Sequence, residues 1–484
     1  MGLIDPRLAL PMKMLSGLDG LFLHLETAET PMHVASLSLL ELPHGYRGDF
    51  LADVKRLYAR RIAQVPALSR QLSEEPLQFA NPAWVQADHI DLDYHIRRVA
   101  LPKPGTRAQL EACVAQLHAV PLDRTRPLWT VTIIEGLPKR QVGYYTSIHH
   151  AVLDGQAAVE MVKVLYDLTP TPRPAARSRG VAAWGRGEHP SPAELIAGAL
   201  RHDVAQVARF VRLLPEITRT VGAAWRAAPD DASGGSAPAV PSFAPRTPFN
   251  VAITGERAFA AASIPLDEVQ HVAAVQQCTV NDVVLAICAG ALRRYLGHHG
   301  GVPEHALIAG IPISLREQGD TEYTTQATAA RVSLATDIAD PVRRLHAIRD
   351  SASAAKAAIA RTKSIRPTDF PTLGLPWLLQ GLASLYGRSQ LANIAPMPFN
   401  LVISNIRGPS VPLYFAGARM IGYWPVSIVA HGLGVNITVE SYAGALGFGV
   451  IAASNAVRDP RQLADGLVAA HGQLLNKCGR LEAA

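Results

Sequence analysis

A strand-like run, Val142 to Ile148, leads straight into His149-His150-Ala151-Val152-Leu153-Asp154-Gly155, and a helix-like run, Gln156 to Leu168, follows at once. This places two imidazoles at the end of a strand and a run of backbone amides at the start of a helix. Few stretches of this chain are so constrained, and the rest can be read around it.

A neutral imidazole, with an ordinary pKa near about 6.5, is a competent base at neutral pH, and a positioned general base contributes on the order of 100- to 10,000-fold in rate. Adjacent strand residues point to opposite faces. Only one of the pair therefore faces a reaction centre; His150 is the candidate base and His149 a buried or supporting neighbour. Asp154 lies four residues beyond His150, where it can orient the imidazole or pair with an arginine that holds the turn. Gly155 lets a substrate approach the backbone, and the amides after it can stabilise an oxyanion. A structural role, or part of a metal site, fits the same residues: His24, His33 and His431 are further imidazoles, but no spacing ties them to the heptapeptide.

Around this motif the chain alternates strands and helices in both halves. His33 to Glu41 reads as a first strand, Asp49 to Ala63 and Ala108 to Ala119 as helices, and Trp84 to Val99 as mixed. Pro121 and Pro127 fix an extended approach to the β-branched run Thr130 to Glu135. The Pro/Arg/Ser-rich stretch from Pro170 closes a first domain over 1–185. A helical segment, Ser191 to Ala227, and a linker, Pro229 to Pro248, make a connector over 186–248. The second domain, 249–484, reads as strand (Ala258 to Ile264), helix (Asp267 to Gln277), and a long apolar helix (Val280 to Leu296) preceded by Thr279. Leu307 to Ser314 is a buried strand and Pro341 to Lys363 an alanine-rich helix. Leu373 to Ala395 is a core helix or a membrane-facing or acyl-tunnel surface. Four strands (Asn400 to Asn405, Gly417 to Tyr423, Val435 to Tyr442, Leu446 to Ala452) and a helix, Pro460 to Asn476, complete the chain.

With 484 residues, 48% hydrophobic and 18% charged, the chain is globular and too long for one core; two domains of roughly 200 residues are expected. No run of about 18 apolar residues predicts a membrane span, and the amino terminus lacks a signal-peptide pattern. The four cysteines show no CxxC or zinc spacing, so reduced thiols in the cytoplasm are expected. The net charge of +6 is spread along the chain. That suits a polyanionic ligand such as a nucleotide-bearing thioester, or an anionic membrane surface; it lacks the basic stripe of a nucleic-acid binder. No nucleophile elbow, phosphate loop, dinucleotide fingerprint or HExxH zinc motif is present. A base with an oxyanion donor and no nucleophile suits direct acyl transfer between two bound substrates.

The heptapeptide fits the HHxxxDG motif of coenzyme A-dependent acyltransferases, and the chain as a whole resembles the bacterial wax ester synthase/acyl-CoA:diacylglycerol acyltransferase family. Pro127-Leu128-Trp129 matches its PLW motif and Asn281-Asp282 its Asn-Asp motif. Ser404-Asn405-Ile406-Arg407-Gly408-Pro409 matches its Ser-Asn-x-x-Gly-Pro motif, and Leu18 to Val34 looks like its amino terminus. HHxxxDG alone is shared with nonribosomal condensation domains; the ordered set is more specific. The resemblance implies an α/β (α+β) fold of two chloramphenicol acetyltransferase-like domains with the active site in a channel between them. It implies that His150 deprotonates a long-chain alcohol or diacylglycerol as it attacks acyl-CoA, a substrate rather than a cofactor, without an acyl-enzyme, while Asp154 is structural. Asn281 and Asp282 either close on the site or cap the following helix. Arg407 stands where many members carry proline, and Thr324-Thr325 replaces a common Gly-Asn pair; both bear on acceptor preference. A condensation-type enzyme using carrier-protein thioesters and a non-catalytic lipid-binding protein are the competing readings. A peripheral position at the inner membrane or lipid inclusions accords with lipid substrates.

Overall fold

A computed structural model describes residues 13–15, 17–73, 82–152, 155–174, 243–314, 327–361, 385–387 and 389–479. The helical connector, most of the linker, the pair Thr324-Thr325 and the first part of the Leu373 to Ala395 stretch lie outside these residues. Strands are numbered along the chain. Lys13–Met14 (β1), Arg70–Leu72 (β3) and Ala83–Gln86 (β4) form a small sheet. All the other described strands fall into two six-stranded sheets.

The first large sheet contains His33–Glu41 (β2), Ile96–Ala100 (β5), Trp129–Glu135 (β6) and Gln141–His149 (β7). Tyr414–Phe415 (β12) and Ala418–Val426 (β13) complete it, in the order β12-β13-β2-β7-β6-β5. Strand β7 sits in the middle, which explains why its residues are apolar on both faces instead of alternating. Its antiparallel register on β2 sets His33 opposite His149. On one face Tyr58, Trp129, Tyr144 and Phe415 pack with the Phe50–Arg61 helix. Asp49 caps that helix, accepting the Leu51 amide at 3.0 Å.

The second sheet contains Arg257–Pro265 (β8), Ile308–Ser314 (β9), Ala327–Ser333 (β10), Leu401–Ile406 (β11), Val435–Tyr442 (β14) and Ala445–Ala453 (β15). Its order is β10-β9-β11-β14-β15-β8. One face carries the helices Leu266–Val275, Val280–His298, Pro341–Arg361 and Pro460–Cys478. Leu446, Phe448 and Val450 of β15 point into that helical core with Val283, Ile287 and Leu467. The first two helices are together apolar enough to suggest a bent membrane span, but they meet at 103°. The second of them is buried along most of its length, so its hydropathy is accounted for by the core. No single helix among the described residues is long and apolar enough to cross a membrane.

The two sheets do not divide at residue 249. The segment read as a strand of the second half, Gly417 to Tyr423, belongs with its extension to the first sheet: Trp424 pairs with Leu37 and Val426 with Ala35. Its alternation fits either sheet, so local pattern could not decide the partner. The other face of β15 meets this ribbon. A side chain at Gly447 or Gly449 would place its Cβ 2.0 Å from the Tyr423 carbonyl oxygen or 1.7 Å from that of Pro425. Glycine is required there for the two backbones to touch. The Arg107–His118 helix of the first half docks on β8, where Glu111 accepts the Ala261 amide at 3.1 Å and pairs with Arg461.

Candidate active site

The heptapeptide begins on the last residue of the central strand. The His149 amide donates to the Leu128 carbonyl at 3.0 Å and the His150 amide to Met32 at 2.9 Å, so strand pairing persists through both histidines. The two rings meet different surroundings. His149 is fully buried. Its Nδ1 accepts the Ala151 amide at 3.1 Å, which leaves the ring proton on Nε2, 3.5 Å from Glu26 Oε1. That distance is an ion-pair contact at the limit of hydrogen bonding.

Glu26 is held in turn. Its Oε1 accepts the Met32 amide at 2.9 Å, and its Oε2 accepts Arg124 Nε at 3.0 Å and Nη2 at 2.8 Å. Arg124 also donates to the Leu23 carbonyl at 2.6 Å. Burial by itself would raise the Glu26 pKa; the contacts with His149, Arg124 and the Met32 amide outweigh it and lower the pKa to about 2. The carboxylate is therefore ionised at any pH at which the protein works.

Among the described residues His150 has no such clamp. Its ring stacks on Phe22, centroids 4.0 Å apart and planes at 22°. Its Nδ1 is buried with no hydrogen-bond partner among the described residues. Burial, opposed by a local backbone hydrogen bond and aided by His149, lowers its pKa to about 4. The imidazole is thus kept unprotonated at neutral pH. Asp154 lies outside the described residues, and Gly155 opens the Gly155–Leu165 helix.

Behind this pair lies a second buried set. His33, with neither ring nitrogen bonded among the described residues, packs edge-on against His118 at 4.5 Å. His118 Nε2 lies 2.8 Å from the Ser427 carbonyl, to which it must donate, so Nδ1 accepts from the Tyr145 hydroxyl at 2.9 Å. This chain ties the end of β13 to the histidine corner. Burial likewise lowers the His33 pKa to about 4, despite the Glu26 charge.

Pro127, Leu128 and Trp129 form the wall of this corner. Leu128 supplies the carbonyl that holds His149 and packs with Leu15, Leu23 and Ala151. Trp129 is buried between Tyr58 and His95, and its Nε1 donates to the Leu68 carbonyl at 2.8 Å. The other motifs gather elsewhere. Asp282 forms a capping box with Thr279: its Oδ2 accepts the Thr279 amide at 2.9 Å and hydroxyl at 2.7 Å, and its own amide donates to Thr279 Oγ1 at 3.2 Å. Asn281 Oδ1 accepts from Asn405 Nδ2 at 3.3 Å. Ser404 stands on β11 opposite Thr438 of β14. The Gly408 amide donates to Ser441 Oγ at 3.1 Å, and the Pro409 carbonyl accepts the Ala443 amide at 3.0 Å. A Cβ at Gly408 would lie 2.3 Å from the Ser441 carbonyl oxygen, which requires glycine. Beside it, Glu440 is raised to about 7 by burial, against a lowering contact from Tyr423. Among the described residues no hydrogen bond or ring contact joins Asn281 or Asn405 to the histidines.

Residues 15–284 match the wax ester synthase/diacylglycerol acyltransferase catalytic domain, and residues 325–474 the C-terminal domain of the same family. The chain belongs to that family. Membership makes it an O-acyltransferase whose substrates are an acyl donor and a lipid acceptor. A putative diacylglycerol O-acyltransferase of Mycobacterium tuberculosis is 34% identical over 445 residues, covering 92% of this chain and 95% of the relative. A putative diacylglycerol O-acyltransferase of Mycobacterium bovis is also 34% identical, over 91% of this chain and 93% of the relative. The solved wax ester synthase/diacylglycerol acyltransferase of Marinobacter aquaeolei superposes with a TM-score of 0.68 at 30% identity, covering 97% of this chain and all of that one. The first condensation domain of the calcium-dependent antibiotic synthetase shares the fold alone, with a TM-score of 0.54 at 13% identity, over 97% of each chain. The two-half α/β fold implied by the motifs is therefore the fold of this family.

Sequence reasoning missed Glu26, Phe22 and His118. Glu26 lay inside the quoted amino-terminal motif without a role. One signal was available: Arg124 has no acidic residue three or four positions away to pair with, so its partner had to be distant.

Proposed function

We propose that this enzyme transfers a long-chain fatty acyl group from acyl-CoA to the hydroxyl of a fatty alcohol, a diacylglycerol or both, with His150 as the general base. The observation that carries the reading is the unprotonated imidazole of His150, its Nδ1 without a partner among the described residues, beside a neighbour held at Nδ1 by the Ala151 amide and facing the Glu26 carboxylate. A ring nitrogen of His150 takes the hydroxyl proton as the alkoxide oxygen attacks the thioester carbonyl. The C–S bond then breaks, and the proton passes to the departing coenzyme A thiolate. The amides at the start of the Gly155–Leu165 helix are suited to stabilise the oxyanion formed between these steps. No covalent enzyme intermediate and no cofactor are required. His149 is a positioning residue that holds the strand end through Glu26 and Arg124.

The relatives named diacylglycerol O-acyltransferases support a diacylglycerol acceptor, and the Marinobacter enzyme's name supports a fatty alcohol. Exposed Leu385, Leu391 and Ile394 support a peripheral contact with lipid. The test is thiol release from palmitoyl-CoA by purified protein, with hexadecanol and with diacylglycerol in turn. Acceptor-dependent release, abolished in His150→Ala, is expected. Release from an acyl carrier protein thioester but not from acyl-CoA would reassign the donor, and no acceptor-dependent release would overturn the reading.

A further inference from the structure

On the helical face of the second sheet, a cavity of about 400 Å³ opens between the helices Val280–His298 and Pro460–Cys478 and the start of Pro341–Arg361. It lies across that sheet from the first: Gly447 and Gly449 of β15 meet the first sheet, whereas Leu446, Phe448 and Val450 point toward these helices. It is therefore separate from the histidine corner.

Its lining is basic and has no carboxylate. Arg293, Arg294, Arg344 and His298 converge on it, with Gln473 at the rim. Among the described residues none of the three arginines has a carboxylate partner. Arg344 is 3% exposed, and its Nε is buried with no hydrogen-bond partner. Its Nη1 donates to the Ile338 and Ala339 carbonyls at 2.9 and 3.2 Å, which leaves the rest of the fork free. Gly290 floors the cavity: a Cβ there would lie 3.3 Å from Arg344 Nη2 and 2.7 Å from the Ala470 Cβ. Arg293 donates to the Thr336 carbonyl, so its charge is held in place but not neutralised. Asp340, whose charge acts on Arg344, caps the Pro341–Arg361 helix, accepting the Val342 and Arg343 amides at 3.0 and 2.8 Å. Burial first, and then the Arg293 charge, lower the Arg344 pKa, with Asp340 opposing. A buried cation beside like charges is costly unless an anion joins it.

We infer that this cavity is a binding site for a phosphate-bearing anion, remote from the acyl-transfer site. Arginine forks match phosphate oxygens two at a time. The volume exceeds what one phosphate fills, since a water's share of liquid is about 30 Å³. A phosphate group with an organic body attached, whether a soluble phosphate ester or a lipid headgroup, fits the space.

The test uses the full chain, with inorganic phosphate as probe against chloride at matched ionic strength. Phosphate should raise the melting temperature of the wild type by about 2 °C or more at saturating concentration. The double variant Arg293→Gln/Arg294→Gln, at one half-buried and one exposed position, should melt within a few degrees of the wild type in chloride and bind phosphate, by calorimetry, at least about tenfold more weakly. Arg344→Gln serves as a second variant where it folds. Sedimentation with phosphatidylglycerol/phosphatidylcholine vesicles distinguishes the source. Retention lost in the double variant, without a response to free phosphate, supports the site with a lipid headgroup as its ligand. A response to free phosphate without retention supports it with a soluble ligand. An unchanged response in the double variant, or no response in either arm, would overturn the inference and leave Arg293 and Arg344 as partners of the Thr336, Ile338 and Ala339 carbonyls in the loop before the Pro341–Arg361 helix.

Discussion

The motifs of this chain collect in two corners, and the corners treat their polar groups in opposite ways. In the second, Asp282 and Thr279 satisfy one another, Asn281 meets Asn405, and Gly408 and Pro409 are bonded into the turn after β14. In the first, Glu26 and Arg124 are satisfied and His149 is held at Nδ1 with its other nitrogen facing the Glu26 carboxylate, whereas His150 Nδ1 is buried with no hydrogen-bond partner among the described residues. An unsatisfied buried polar group costs on the order of 1–3 kcal/mol, so its persistence points to chemistry. The second corner reads as a brace and the first as a site.

That contrast can be broken in four ways. The largest effect is expected from His150→Ala, which should lower turnover by about 100- to 10,000-fold while leaving the melting temperature near the wild-type value. His149→Ala should do the reverse and cost about 3 kcal/mol of stability in urea unfolding, since it leaves Glu26 facing a cavity. Equal losses of turnover in the two variants, at equal stability, would show that the proton role is wrongly divided.

Acid is the next test. His33 and His150 have folded-state pKa values lowered to about 4, so between about pH 6.5 and 4 the unfolded chain binds more protons than the folded one. Stability from these groups is full above pH 6.5 and falls on acidification, by on the order of 3 kcal/mol for each as an upper limit. Turnover per folded molecule should stay level from pH 7 to 5, because His150 remains unprotonated. An acidic limb near 6.5 would contradict the burial argument.

Glu26→Gln keeps the shape and removes the charge that Arg124 and His149 face. A loss of about 2 kcal/mol is expected at pH 7. Because the Glu26 pKa is lowered, that difference from the wild type should disappear as pH falls from about 4.5 toward 2. The smallest effect belongs to the brace: Asp282→Ala should cost about 1 kcal/mol through the lost cap and reduce turnover less than about tenfold. A collapse of turnover without loss of stability would move Asp282 into the site.

Much of the first corner was legible. Strand, histidines and helix are contiguous, so local pattern placed His149 at the strand end and predicted that neighbouring rings face apart. Trp129 and the cap at Thr279 were equally local. Glu26 was not legible as the partner of His149, because it reaches that ring from more than a hundred residues away; the lack of a local acid for Arg124 hinted at a distant carboxylate but not at which one. The ribbon Ala418–Val426 escaped for the same reason. Its alternation shows a strand but not which sheet it joins.

The sequence by itself determined the elements, the motif order that marks the family, and the residue type at each reactive position. These follow from periodicity, turn chemistry and side-chain identity, which act over a few residues. The tertiary structure alone decided which histidine is clamped and which is bare, that the second half lends a ribbon to the first sheet, and that Gly447 and Gly449 are the joint between them. It also decided that three arginines with no carboxylate partner among the described residues meet around one cavity. Burial and charge pairing are set by what lies across the fold, and that is fixed only when the sheets have closed on one another.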